Sequence, residues 1–157
     1  MKADNYKLLV EQVKALVAGE SDATAILANV SAALHDAFPE RFFWVGFYCV
    51  KNGELILGPF QGPVACYHIA YGKGVCGTAW QRAETVIVPD VEAFPGHIAC
   101  SSLSRSEIVV PVKRHGDGEV IAVLDIDSKE MGAFDEVDGA YLEAIADVVG
   151  RQLTANE

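Results

Sequence analysis

The chain has 157 residues, of which 51% are hydrophobic, and we interpret residues 1–157 as a single domain with one buried core. Its 12 basic and 22 acidic residues give a formal net charge of −10, which repels nucleic-acid phosphates and anionic membrane surfaces and argues against both as partners. A substrate that bears an ammonium group is compatible with this negative field.

Two helices are predicted at the amino-terminal end of the chain. Apolar residues recur at helical spacing within residues 4–18, and Gly19 ends that helix. Ser21 or Asp22 can cap a second helix that continues to about residue 37.

A hairpin of two strands is predicted next. Residues 42–50 are aromatic and β-branched, and the pair Asn52-Gly53 signals a tight turn into a second strand over 54–60. Two strands joined by two residues run antiparallel, so the sheet is at least partly antiparallel.

The rest of the chain alternates short elements with loops. Four strands are predicted, over residues 65–70, 85–88, 107–113 and 120–126. Residues 74–83 are predicted to be a loop that enters a short helix, and residues 135–153 a long terminal helix. Residues 89–106 have no predicted element, and a loop of that length is often functional. The element order favours an α+β fold in which terminal helices pack on an antiparallel sheet.

The cysteines indicate the chemistry. No apolar run is long enough for a membrane helix and the start lacks a signal peptide, so we expect a cytoplasmic protein whose thiols are reduced. No cysteine pair forms C-x-x-C and no ligand pair has zinc-finger spacing, so we expect no structural metal. Cys49 lies in an aromatic strand and is interpreted as a packed thiol, whereas Cys66, Cys76 and Cys100 lie in or beside Gly/Pro/Ser-rich loops. Each of these three can be inert, but together they favour redox chemistry between a nucleophilic and a resolving thiol.

Three acidic residues are candidates for a binding site. Asp125 and Asp127 are two residues apart at the end of an apolar strand, so their side chains point to one face and repel unless a cation lies between them. A solvated strand end is the alternative. Glu107 begins another strand, where it is either an acid near a thiol or an exposed strand start.

Two aromatic residues and one histidine complete the candidates. Trp44 and Tyr48 share one face of their strand and either pack in the core or form a ligand wall for a thioether methyl group. His97 either assists a thiol or occupies a turn.

Seven short runs resemble the free methionine-(R)-sulfoxide reductases. They are WVGFY (44–48), GPFQGPVAC (58–66), GKGVCGTAW (72–80), VPDV (88–91), FPGHIAC (94–100), SEIVVPV (106–112) and VLDIDS (123–128). General GAF domains share the fold of this family but not its set of three cysteines. The resemblance implies a GAF domain with a six-stranded antiparallel sheet packed by helices.

The resemblance also implies roles for individual residues. Cys100 matches the nucleophile, Cys66 the resolving thiol, and Cys76 a third cysteine that relays or substitutes. The substrate site matches Glu107, Asp125 and Asp127 around the polar end and Trp44 and Tyr48 near the methyl end. The implied reaction reduces free methionine-(R)-sulfoxide through a sulfenic acid and an intramolecular disulfide. It needs no cofactor beyond an external dithiol, thioredoxin, and a homodimer is common in the family.

Two departures from the family pattern concern the thiols. Ser101 follows Cys100 where an Asp is frequent, which alters the local field on the nucleophile, and Cys49 is additional to the family's trio. Two other functions are alternatives to the enzyme. One is a GAF sensor module that binds a small ligand without catalysis, and the other is an interaction protein with incidental thiols.

Overall fold

Three long helices cover one side of the protein. The computed structural model describes residues 2–97 and 102–157, within which these helices are α1 (Lys2–Val17), α2 (Ala23–Ala37) and α4 (Glu136–Leu153). Asp22 caps α2 by accepting a hydrogen bond from the backbone N–H of Ala25 at 2.9 Å, as the sequence predicts. Asp135 caps α4, and the side chain of Asp138 accepts a bond from the Asp135 N–H to complete a capping box.

The strands form one antiparallel sheet. Its members are β1 (Trp44–Lys51), β2 (Glu54–Gln61), β3 (His68–Ala70), β4 (Val86–Val88), β5 (Ser106–Lys113) and β6 (Val120–Ser128). In the described chain their order is β3-β2-β1-β6-β5-β4, and every neighbouring pair is antiparallel. Asn52 and Gly53 both have positive φ, so the predicted tight hairpin between β1 and β2 is present. The α+β fold with a six-stranded antiparallel sheet is confirmed.

The two faces of the sheet bury different sets of side chains, because successive residues of a strand point in opposite directions. The face under α1, α2 and α4 buries the strand residues Val45, Phe47, Ile108, Val110, Val112, Ala122, Leu124 and Ile126. The short helix α3 (Gly74–Arg82) lies on the opposite face, against β5 and β6. That face buries the strand residues Trp44, Tyr48, Val109 and Val123.

Two predicted elements differ from the structure in ways that bear on the site. The strand predicted over 120–126 continues to Ser128, because Asp127 pairs with Trp44 on one side and with Glu107 on the other. Asp125 and Asp127 therefore lie in the last four residues of β6, as predicted, but there the strand is paired on both sides. The stretch 89–106, predicted to be irregular, includes a 3-10 helix at Val91–Ala93.

None of the helices in the described residues is long and apolar enough to cross a membrane.

Candidate active site

A pocket opens on the sheet face that carries α3, at the edge where that helix begins. The residues that line it come from β1, β3, β5, β6, the first turn of α3 and two loops. They are Trp44, Tyr48, Val64, Ala65, Ile69, Gly74, Val75, Cys76, His97, Ser104, Glu107, Asp125 and Asp127. Each sequence-predicted site residue within the described chain lies here except Cys66, whose loop borders the pocket.

The register of β5 and β6 brings the three acidic side chains together. Glu107 is directly opposite Asp127, and Asp125 is two residues further along β6 on the same face. Glu107 and Asp125 are 6% and 5% exposed, and Asp127 is half-buried. The three acids therefore converge on one face of the sheet, where the start of β5 pairs with the end of β6.

Burial and mutual repulsion favour protonated acids here. The pKa of Glu107 lies well above its usual range because of burial and the nearby carboxylates of Asp125 and Asp127. Burial and Asp125 raise the pKa of Asp127 in the same way. Burial also raises the pKa of Asp125, but hydrogen bonds with Glu107 and Cys76 oppose that rise. These shifts favour the protonated form of Glu107, the form in which a carboxyl group can donate a proton.

Asp125 retains an unused hydrogen-bond acceptor. Its Oδ1 atom is buried and has no partner among the described side chains and backbone groups. The pocket lining, as far as the structure describes it, includes neither Lys nor Arg. Leaving a buried carboxylate oxygen unpaired is costly, so this oxygen is available to a further hydrogen-bond donor.

Cys76 lies in the first turn of α3 and faces the acids. It is a free, buried thiol, and its Sγ lies within 4.8 Å of carboxylate oxygens of Glu107 and Asp125. Burial and the negative charge of these carboxylates raise its pKa well above the usual value. Cys76 is therefore a protonated thiol in this state and not a pre-activated nucleophile.

Trp44 and Tyr48 anchor the loop that follows β2. The Trp44 indole N–H donates to the carbonyl oxygen of Pro63 at 3.0 Å, and the Tyr48 hydroxyl donates to that of Cys66 at 3.0 Å. The two rings stack with centroids 6.0 Å apart, and both line the pocket. These two residues were predicted to form an aromatic wall of the pocket. In the structure their hydrogen bonds also hold the backbone of the loop that contains Cys66.

Glycine at position 46 makes the aromatic wall possible. Gly46 lies between Trp44 and Tyr48 on the pocket face, and a Cβ atom there would overlap the Cβ of Phe60 and lie 2.9 Å from the Pro59 carbonyl oxygen. Because Gly46 has no Cβ, the Phe60 side chain lies over it and its ring stacks on the Trp44 ring with a centroid distance of 5.0 Å.

The cysteines predicted to exchange electrons are described in part. Cys66 is disulfide-bonded, whereas Cys49 and Cys76 are free thiols. Cys49 is half-buried and packs against the core under the long helices, which is the packed position that the sequence predicts. The predicted nucleophile, Cys100, and its neighbour Ser101 lie outside the described residues.

Sequence reasoning left the roles of two further pocket residues open or unnamed. His97 lines the pocket, where burial lowers its pKa and the charge of Asp125 opposes that change. Ser104 contributes a buried hydroxyl oxygen from the loop before β5. No periodicity governs side-chain direction in a loop, so the sequence had no signal for Ser104.

Comparisons with known proteins agree with this geometry. The GAF domain family model matches residues 20–153. The chain is 56% identical to GAF domain-containing protein A of Dictyostelium discoideum, over 92% of this chain and 89% of that protein. It is 44% identical to free methionine-R-sulfoxide reductase of Escherichia coli, over 87% of this chain and 81% of that protein.

A solved structure resembles the fold closely. The X-ray structure of free methionine-R-sulfoxide reductase from Neisseria meningitidis, in complex with its substrate, superposes with a TM-score of 0.93 at 50% identity, covering 99% of this chain and 92% of that chain. The resemblance deduced from the cysteine-bearing runs is confirmed. The chain belongs to the free methionine-(R)-sulfoxide reductases, a family of oxidoreductases built on the GAF domain.

Proposed function

We propose that this protein reduces free methionine-(R)-sulfoxide to methionine in the pocket beside α3. The central observation is a buried carboxyl cluster whose lining, in the described residues, has no Lys or Arg to neutralise it. The named activity of the Escherichia coli relative and the substrate complex of the Neisseria meningitidis relative support the same substrate.

Asp125 and Asp127 recognise the ammonium group of the free amino acid in this proposal. The unpartnered Oδ1 of Asp125 supplies an acceptor, and a charge-assisted hydrogen bond in a buried site is strong. A methionine sulfoxide residue inside a peptide has an amide in place of the ammonium group, so it gives Asp125 no positive charge to pair with.

Glu107 donates a proton to the sulfoxide oxygen. Burial and the neighbouring carboxylates raise its pKa, which favours the protonated form that a general acid requires. A hydrogen bond to the oxygen withdraws electrons from the sulfoxide sulfur and makes it electrophilic.

The thiols then complete a two-electron cycle. The Cys100 thiolate attacks the sulfoxide sulfur, and the oxygen passes to the Cys100 sulfur, so that methionine leaves and a sulfenic acid remains. The Cys66 thiol attacks this sulfenic acid, and a disulfide and one water form. The disulfide-bonded state of Cys66, with Cys49 and Cys76 free, supports this pairing. Thioredoxin, a cytoplasmic dithiol, returns both cysteines to thiols.

Turnover with two matched substrates tests the recognition step. We expect free methionine-(R)-sulfoxide to be reduced with dithiothreitol, and its N-acetyl derivative, which keeps the sulfoxide but lacks the ammonium charge, to be at least about 100-fold poorer. The (S) epimer serves as the stereochemical control. Equal rates for the free and acetylated compounds would refute ammonium recognition by Asp125.

Single-turnover experiments with cysteine variants test the thiol cycle. Cys100→Ser is expected to release no methionine, whereas Cys66→Ser releases one equivalent and then stalls as a sulfenic acid trapped with dimedone. Cys49→Ser is the matched control because that thiol packs on the opposite face of the sheet. Mass spectrometry of the linked peptides decides whether Cys66 or Cys76 forms the first disulfide, and a first linkage to Cys76 would contradict the proposed order.

A further inference from the structure

One thiol and two carboxyl groups, all of them metal-ligand types, are clustered where Cys76 meets the acids. Cys76, Glu107 and Asp125 each offer one ligand atom, and these atoms all lie within 4.8 Å of one another. In a tetrahedral zinc site, Zn–S and Zn–O bonds of about 2.3 and 2.1 Å place two ligand atoms about 3.5 Å apart. Side-chain rotations that shorten the separations among the three atoms would form such a site.

Burial separates this cluster from ordinary acidic surface patches. Cys76, Asp125 and Glu107 are 4%, 5% and 6% exposed, so water screens them poorly. Asp125 Oδ1 is also without a hydrogen-bond partner in the described structure, although it is buried. A donor or a cation is therefore needed at this oxygen, and the adjacent thiol makes a thiophilic cation suitable.

We propose that Cys76, Glu107 and Asp125 form an inhibitory binding site for a zinc ion, which competes with the amino-acid substrate for Asp125. Three protein ligands leave one position of a tetrahedral zinc ion for water, as in open zinc sites. The metal displaces the Cys76 proton and the Glu107 proton as it binds. The competition, but not the metal binding, rests on the proposed substrate.

Cobalt absorption tests the site without any turnover. Co²⁺ replaces Zn²⁺ in such sites, and a cysteine thiolate bound to it gives a charge-transfer band in the near ultraviolet. The background is Cys66→Ser with Cys100→Ser, which leaves only Cys49 and Cys76 of the four cysteines in the sequence. We expect the band to persist when Cys49→Ser is added, to vanish when Cys76→Ser is added, and to be bleached by stoichiometric Zn²⁺.

A band that depends on Cys49, or no band in either variant, would overturn the site. Asp125→Asn in the same background is a second test that leaves both thiols in place. Because loss of supporting groups already weakens metal sites by about 10- to 100-fold, we expect Asp125→Asn to weaken Co²⁺ binding at least about tenfold. An unchanged affinity would exclude Asp125 as a ligand.

Competition is measured in the Cys49→Ser, Cys66→Ser, Cys100→Ser variant, which lacks the proposed nucleophile and cannot turn substrate over. Free methionine-(R)-sulfoxide should bleach the Co²⁺ band, whereas the N-acetyl derivative should not. Calorimetry of the metal-free variant with the sulfoxide measures substrate binding separately. A sulfoxide that binds in calorimetry but leaves the band intact would refute competition, and absence of sulfoxide binding would refute the proposed substrate while the metal result stands.

Discussion

Two buried acidic clusters in this protein are satisfied in opposite ways. Asp138, at the start of α4, is fully buried, and its Oδ1 accepts from the Tyr6 hydroxyl at 2.5 Å and from Arg41 at 2.7 Å. Its Oδ2 accepts from Lys2 at 2.7 Å and from the backbone N–H of Asp135 at 2.9 Å. Every acceptor site of that carboxylate is used within the chain.

The pocket cluster on the other side of the sheet has no Lys or Arg among its described lining residues. Glu107, Asp125 and Asp127 bond to one another and to Cys76, and Asp125 Oδ1 has no partner in the described residues. A buried carboxylate that the chain pairs with its own cations serves folding, whereas one that it leaves unpaired costs stability and is available to a ligand. The difference between the two clusters therefore separates structure from function within one fold.

The largest effect on stability is expected at the paired cluster. Asp138→Ala should reduce the free energy of unfolding by about 3–5 kcal/mol, because it leaves the partly buried Arg41 charge without its partner. Urea denaturation measures this loss. Asp135→Ala removes an exposed cap of the same helix and should cost only about 1 kcal/mol. Equal losses in the two variants would show that the Asp138 contacts have no special weight.

The largest effect on activity is expected at the unpaired cluster. Asp125→Asn keeps the shape of the side chain but removes its charge, and truncation of a buried charge pair costs about 2–5 kcal/mol, so kcat/KM should fall by about 30-fold or more. Stability should not fall. Steady-state kinetics with free methionine-(R)-sulfoxide, together with thermal denaturation of the same sample, separates these outcomes. A variant that is active but unstable would place Asp125 in the same class as Asp138.

The pH dependence of stability should reveal the cost of the pocket acids. Since the folded-state pKa of Glu107 is raised above its usual 4.5, the native protein binds more protons than the unfolded chain above that pH. Stability therefore falls as pH rises from 4.5 through the raised pKa. Glu107→Gln removes the titration and should add on the order of 1 kcal/mol at neutral and alkaline pH, with no gain at acidic pH.

Denaturation of Glu107→Gln and of the parent protein across the pH range tests this expectation. Glu143→Gln, on the exposed surface of α4, is the control and should leave the pH profile unchanged. A gain for Glu107→Gln that is equal at every pH would show that the carboxyl proton is not the cause.

Two tyrosine hydroxyls, one near each cluster, allow single hydrogen bonds to be compared. Tyr6→Phe removes a donor to Asp138 and should lower stability by about 1–3 kcal/mol while activity is retained. Tyr48→Phe removes the bond to the Cys66 carbonyl, worth about 1 kcal/mol, and should slow disulfide formation about fivefold after the first turnover. Rapid-quench measurement of free thiols detects the second effect. Faster or unchanged disulfide formation in Tyr48→Phe would mean that the Cys66 loop needs no anchor.

Strand periodicity predicted the parts of the site that lie on strands. The i and i+2 spacing of Asp125 and Asp127 fixed their common face, and the i and i+4 spacing of Trp44 and Tyr48 placed both rings on one side of β1. The roles of the three loop cysteines came from the family resemblance, because spacing in loops does not define distances. The sequence therefore predicted which strand residues line the pocket, whereas the roles of these residues and of the cysteines stay predictions.

Contacts between distant segments determine the extent of β6 and the direction of loop side chains, which local sequence patterns do not predict. The extension of β6 to Ser128 depends on pairing with both β1 and β5, and this pairing gives the acids near the end of β6 a neighbouring strand on each side. The Trp44 and Tyr48 bonds to residues 63 and 66 join segments 18 or more residues apart. Local periodicity does not encode such long-range bonds, nor which loop residues, such as Ser104, face the pocket.

The position of β6 between β1 and β5 also separates substrate recognition from thiol exchange in the proposed cycle. The backbone around Asp125 and Asp127 is tied to a neighbour on each side, so opening it requires disruption of the sheet, and amide hydrogen exchange there should be among the slowest in the protein. Cys66 instead belongs to the connection between β2 and β3, which the Trp44 and Tyr48 side chains hold to the sheet without strand pairing on both sides. Recognition is thus placed on a strand with a partner on each side, and the exchange of bonding partners on a loop outside the ladder.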